Sequence, residues 1–530
     1  MPKNRVPENR RRVRWGRFPH AFQCVRAVNP RMPSRSQGLS VMSAKSACKL
    51  VGLLCAGLFV SQAGAGSGAL DSQFRKVVLD ADYDVDGDGK IDDTLVDVME
   101  LSITDKGLVL FIERGGSVKL WSREGEHSIL VGKIGVFRGL EDGLLGIALD
   151  KSFADTGWVY LYYAEERTYV DERGRKTGTN RISRFTLSGD RIDPLSERVL
   201  LGVPTERDQC CHSAGSLAVD RHGNLLIATG DNTQPAGTDG YAPLDERVGR
   251  EAWNSQRSAG NANDLRGKIL RIHPESDGTY TIPHGNLFPL GTAHTKPEIF
   301  TMGNRNPFRI SVDDRSGFVY WGDVGPDAYT GHSDRGPAGF DEINRARVGG
   351  NFGWPYFIAD NKPYRRFDFN TKQSGEAFNP AFPVNKSILN TGPVKLPPAQ
   401  PAFIWYPAGL STKFLAVNSG AGRVACAGPV YYYDEGLESP HKLPKDYDHA
   451  LFIYDWSRNW VIAVHLDGKE EIAKKSDGSL WMERFCTNLG FKQPIDLELG
   501  PDGCLYVVEN GAGWAPNTGT RIERIEFHGE

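Results

Sequence analysis

The sequence lacks any apolar run long enough to cross a membrane. Its main apolar stretch, Leu50 to Val60, falls far short of the roughly 20 residues that a helical span needs. No amphipathic helix pattern persists for long, which argues against a helical bundle or an α/β fold. Basic charge is scarce outside the N-terminal segment. The formal net charge is −3, but residues 1–41 hold ten Lys/Arg against one acid and residues 42–65 add Lys45 and Lys49, leaving −14 on the rest. A body that acidic has little attraction for nucleic acid or an anionic membrane. Cysteine is sparse as well, with eight in 530 residues and neither zinc-ligand spacing nor a C-x-x-C-H haem site among them.

What is present begins with an export signal. Residues 42–65 place lysines ahead of the apolar run and end in Ala63-Gly64-Ala65, the layout of a secretory signal peptide with a small-residue cleavage site. Residues 1–41 do not belong before such a signal and read as the product of a misassigned upstream start. The expected product is a periplasmic or secreted chain, residues 66–530. It retains Cys210, Cys211, Cys426, Cys486 and Cys504, an odd number that cannot all pair internally. The adjacent Cys210-Cys211 suits a vicinal disulfide in an oxidising compartment.

Glycine is abundant, 60 of 530 residues, as expected for many short strands joined by tight turns. Turn-and-strand units recur: LVLFIERGGSVKLW (108–121), WVYLYYA (158–164) with RISRFTL (181–187), DRHGNLLIATGD (220–231) with GKILRI (267–272), DDRSGFVYWGDVG (313–325), GPVYYYD (428–434) with ALFIYDW (450–456), and GPDGCLYVVENG (500–511) with TRIERIEF (520–527). Such a unit cannot bury both faces alone. Six copies predict an all-β fold, a six-bladed β-propeller forming one domain over 66–530. The long Pro/Asn/Gly-rich segments 232–262 and 356–425 are expected as loops at the ends of the central channel, where a site would be built.

Four constellations carry chemistry. His212 precedes a blade strand and offers an imidazole for general-base work, against the alternative of a packed structural histidine. Arg305-Asn306, fixed by Pro307, pairs a guanidinium with an amide able to grip an anionic edge. The turns around Gly325-Pro326 and Asp341-Glu342 combine exposed carbonyls with carboxylates, the hard oxygens that Ca²⁺ selects. Asp84, Asp86, Asp88 and Asp92 follow the first positions of an EF-type calcium loop over 84–95, although its twelfth position is Leu95 rather than Glu. Solvated acidic turns are the alternative for both calcium readings.

Taken in order, GLEDGLLGIALDKSFADTGWVYLYYA (139–164), HSAGSLAVDRHGNLLIATGD (212–231), GKILRI, GNRNPFRI (303–310), DEIN and GGNFGWP (349–355) resemble the glucose/sorbosone dehydrogenase family of soluble pyrroloquinoline-quinone (PQQ) sugar dehydrogenases, from about residue 98 onward. The resemblance implies a six-bladed propeller that holds PQQ and Ca²⁺, oxidises a small sugar and passes its electrons to an external acceptor. It implies His212 as the base that takes the proton of the anomeric hydroxyl, and Arg305 as the group that stabilises the quinone oxygen. Asn306 matches a cofactor contact, the Gly325 and Pro326 carbonyls match those on the calcium that polarises PQQ, and Asp341-Glu342 matches a second calcium region.

The departures are specific. Glu141 stands where the glucose enzymes have a cofactor-contacting glutamine, and Cys211 where they have the aspartate that orients the base. Two PQQ-binding arginines are replaced within Phe491-Lys492-Gln493-Pro494-Ile495-Asp496, leaving Lys492, while Arg458 lies where a Lys-Arg pair is expected. The sequence therefore predicts a sugar dehydrogenase with an altered cofactor pocket. A non-catalytic propeller that binds carbohydrate or a partner protein is the alternative, and a hydrolase or lactonase stands behind both.

Overall fold

Short polar turns and strongly apolar strands set the architecture. At Asp220-Arg221-His222-Gly223 the Asp220 carboxylate accepts the backbone N–H groups of His222 and Asn224, and Gly223 takes the left-handed φ of +79° that closes the turn. Leu225–Thr229 then runs buried at every position, as befits a strand covered on both faces. The computed structural model describes residues 70–529 except 83–87, 91–93, 126, 209–210, 421 and 514–515. The expected upstream stretch, the signal peptide, Asp84, Asp86, Asp92 and Cys210 lie outside the described residues.

Six antiparallel blades follow in chain order. The first comprises Val98–Ile103, Val109–Glu113, Ser117–Trp121 and Ile129–Lys133, and the second Leu144–Leu149, Trp158–Ala164, Lys176–Ser188 and Arg191–Glu206. Ala214–Val219, Leu225–Thr229, Lys268–Pro274 and Ile299–Met302 form the third, with Gly350–Asn351 added parallel at its edge. The fourth is Pro307–Asp313, Phe318–Asp323, Phe340–Ala346 and Ile404–Pro407, and the fifth Ala425–Tyr431, Ala450–Asp455, Trp460–His465 and Met482–Arg484. Pro494–Leu499, Leu505–Glu509 and Arg521–Phe527 make the sixth, completed by the early strand Phe74–Ala81. There Phe74 lies opposite Phe527 and Ala81 opposite Arg521, so the two ends of the described chain close the ring together.

Each inner strand packs against its neighbours around the ring, and Val98–Ile103 meets Pro494–Leu499 to complete it. The all-β six-bladed expectation holds. Segment 356–425 is more than a loop. It carries two small hairpins, Phe357–Ile358 with Lys362–Pro363 and Arg365–Asp368 with Gln373–Ala377, and then supplies the outer strand of the fourth blade, Ile404–Pro407. That strand escapes a sequence reading because it is four residues long and ends in proline.

Blade geometry also decides what meets at the channel mouth. All inner strands point the same way, so the residues just before them converge at one end. Antiparallel pairing brings the ends of the second strands to the same place: Ala214 lies opposite Thr229, Pro307 opposite Asp323 and Ala425 opposite Asp455. A residue leading into one strand and an acid 17–31 positions later thereby become neighbours.

Candidate active site

The first such meeting is His212 with Asp231. Nδ1 of His212 lies 2.7 Å from Oδ1 of Asp231, and both side chains are buried. Asp231 is held from several directions. Thr233 donates to Oδ1 through its N–H and hydroxyl at 3.1 and 2.7 Å, while Ser255 Oγ and Trp354 Nε1 each donate to Oδ2 at 2.8 Å. Burial alone would raise this carboxyl, but the adjacent His212, the hydrogen bond it makes and the nearby Arg305 hold it well below the ordinary range. An ionised Asp231 fixes the proton of neutral His212 on Nδ1. The basic lone pair then sits on Nε2, on a ring that lines the cavity. Gly230 makes this approach possible, because a Cβ there would stand 2.1 Å from the His212 carbonyl oxygen.

The second meeting is Arg305-Asn306 with Asp323. Asp323 accepts the N–H of Arg305 at 3.0 Å and that of Asn306 at 2.7 Å. Burial lifts its carboxyl to about 7 against those two N–H groups. The Arg305 side chain donates through Nη1 to the Val324 carbonyl at 2.6 Å. Asn306 Oδ1 accepts the Ala214 N–H at 3.1 Å, tying the third and fourth blades at the site.

Both groups line a cavity of about 210 Å³ at the channel mouth, together with Glu141, Cys211, Pro235, Phe308, Val324, Asp327, Val424, Trp456 and Ile495. Glu141 accepts the Ser213 N–H at 3.0 Å. Burial raises its carboxyl despite His212 beside it. Cys211 is disulfide-bonded, while Cys426, Cys486 and Cys504 are free and buried.

Several expectations change. His212 does not lack an orienting carboxylate: Asp231, not a residue at position 211, stands beside its Nδ1. The signal was available in the sequence, since Gly-Asp closes the second strand at 230–231 and again at 322–323. Arg458 does not face the cavity. Its guanidinium donates to the carbonyls of Gly422, Val417 and Pro407 at 2.7, 2.8 and 2.7 Å. Lys492 is exposed and outside the cavity lining.

At the expected calcium sites the oxygens have partners of their own. Pro326 offers its carbonyl to Arg423 Nη2 at 2.7 Å, and the neighbouring Gly325 N–H donates to Asp341 Oδ1 at 3.0 Å. Asp341 Oδ2 accepts the Ala425 N–H. Glu342 accepts from Asn344 Nδ2 and the Ala359 N–H, and burial raises it to about 8, with Asp323 adding to the shift. With a guanidinium on the carbonyl and the Asp341 oxygens engaged, the residues around Gly325-Pro326 do not fit a calcium ion. In the EF-like loop, Asp88 pairs with Lys90 in the open, and Leu95 is a buried core residue whose N–H is held by Asp82.

A histidine locked by a carboxylate stands beside an arginine and an amide at the mouth of a six-bladed propeller, and similarity to known proteins gives the class, a propeller oxidoreductase. The chain belongs to the Glucose / Sorbosone dehydrogenase family, whose model matches residues 96–396. It is 25% identical over 407 residues to aldose sugar dehydrogenase YliI of Escherichia coli (strain K12), covering 77% of this chain and 85% of that protein. Quinoprotein glucose dehydrogenase B of Acinetobacter calcoaceticus is 24% identical over 275 residues, 49% of this chain and 51% of that one. The structure of the PQQ-bound aldose sugar dehydrogenase of Streptomyces coelicolor superimposes with a TM-score of 0.51 at 18% identity, covering 86% of this chain and 98% of that one. No helix among the described residues is long and apolar enough to cross a membrane.

Proposed function

We propose that this protein oxidises a hydroxyl of an aldose or related polyol with PQQ as its cofactor and an external electron acceptor, and that it does so after export to the periplasm or beyond. The observation that carries the reading is the 2.7 Å His212–Asp231 contact opening onto a cavity that Arg305 also lines. His212 Nε2 takes the hydroxyl proton, and Asp231 stabilises the imidazolium that results. When bound, PQQ supplies a two-electron quinone that accepts hydride. Phe308, Val424, Trp456 and Ile495 along the cavity wall would pack against it. Arg305 and Asn306 would hold its polar edge, where the guanidinium would favour developing negative charge. Export is supported by the signal-like segment 42–65.

A second reading, a propeller that binds carbohydrate without turning it over, draws on the two expected cations that do not line the cavity, Arg458 and Lys492. Reconstituting the purified protein with PQQ and assaying dye reduction over a panel of aldoses and polyols separates the two. The proposal expects sugar-dependent reduction. Sugar binding without reduction, at full PQQ occupancy, would favour the binding module.

A further inference from the structure

Arg423 lies in the lead-in to the inner strand of the fifth blade, with its side chain 6% exposed. Its Nη2 donates to the Pro326 carbonyl at 2.7 Å and its Nη1 to the Gly339 carbonyl at 2.5 Å, while Nε lies 3.3 Å from Asp341 Oδ1. The fit requires glycine at 339, where a Cβ would stand 1.6 Å from the Pro326 oxygen. Two carbonyls and one fully buried carboxylate thus converge on a single cation, and that cation is a side chain. On the same turn, Arg305 holds the Val324 carbonyl.

Three converging hard oxygens are the beginning of a calcium cradle. A divalent ion on the Pro326 oxygen would meet a buried guanidinium of like charge at close range, with little solvent to screen the two. We infer that Arg423 takes the place of calcium at this turn, so that the cofactor pocket assembles and binds its quinone without metal. The second half of this inference rests on the PQQ reading above. Arg423 acts as a positioning residue through the 324–326 turn, and its fixed charge adds to that of Arg305 on this side of the cavity.

Two measurements on the full protein test the inference. In the first, Ca²⁺ is titrated calorimetrically into metal-stripped protein carrying Asp88→Ala, which disables the EF-like loop, with Arg423 intact or replaced by Ala. The intact protein is expected to take up no calcium at the turn, and Arg423→Ala to gain one site. Equal uptake by both would overturn the inference. This arm needs no cofactor, so it stands even if PQQ does not bind. In the second, PQQ affinity is read from tryptophan quenching in EDTA and in Ca²⁺. Affinities within about twofold of each other are expected for the wild type, and for Arg423→Ala a loss of about tenfold in EDTA that Ca²⁺ partly restores. A wild-type affinity that needs calcium would overturn the metal-free claim, whereas no binding in either buffer would sink the PQQ reading instead. Should Arg423→Ala fail to fold, Arg423→Met keeps the buried stem and carries the same comparisons.

Discussion

The two sides of the channel-mouth cavity differ in how closely their side chains keep to the family's pattern. On the side of the third blade, His212 and its carboxylate are locked by Thr233, Ser255 and Trp354. Across the cavity, the cations expected to hold the cofactor stand elsewhere: Arg458 clamps the backbone carbonyls at 407, 408, 417 and 422, and Lys492 is exposed, while Arg423, which no expectation named, sits on the turn expected to hold calcium. The chemistry of proton removal needs one geometry, so its parts are tightly constrained. Charge compensation can be met by any cation that reaches the same edge, so its source can move along the chain.

Substitutions on the two sides should therefore behave differently. The largest effect belongs to His212→Ala, expected to lower kcat for sugar-dependent dye reduction by about 10²- to 10⁴-fold with PQQ affinity unchanged. Asp231→Asn should cost about 10- to 100-fold, because the amide can present an N–H to Nδ1 and leave the lone pair on the wrong nitrogen. Its signature is a changed pH profile of kcat/KM, which a merely structural role would not produce.

Across the cavity, Arg458→Ala should act on stability first. Leaving its carbonyl partners unsatisfied is expected to cost about 2–5 kcal/mol in urea unfolding, while the folded fraction binds cofactor as before. Glu342 gives a pH test with a definite sign. Its folded value of about 8 exceeds the ordinary 4.5, so the native state binds the extra proton between those limits. The corresponding stability is present below pH 4.5 and is lost as pH rises towards 8. Thermal unfolding of Glu342→Gln should therefore vary less with pH over that window than that of the wild type. Lys492→Ala should change PQQ affinity by less than about twofold.

Much of this was legible in the sequence. Turns such as Asp220-Arg221-His222-Gly223 followed by all-apolar strands announce blades, and a lead-in such as His212 or Arg305-Asn306 announces its place at the mouth. What stayed hidden depends on contacts between distant positions. Asp231 reaches His212 only through the register that sets Ala214 opposite Thr229. The direction of Arg458 is set by carbonyls at 407, 417 and 422, which no local pattern predicts. Arg423 looked like an ordinary loop residue because Pro326 and Gly339 lie more than eighty positions away in the chain.

The central claim is that this cavity oxidises sugar with His212 as the base, and anaerobic single-turnover spectroscopy tests it most directly. With PQQ bound to the wild type, adding a substrate aldose should convert the oxidised cofactor spectrum to the reduced one, and His212→Ala at equal occupancy should keep the oxidised spectrum over the same interval. A cofactor that is bound and stays oxidised in the wild type with every aldose and polyol tried, or one reduced equally fast in His212→Ala, would contradict the account.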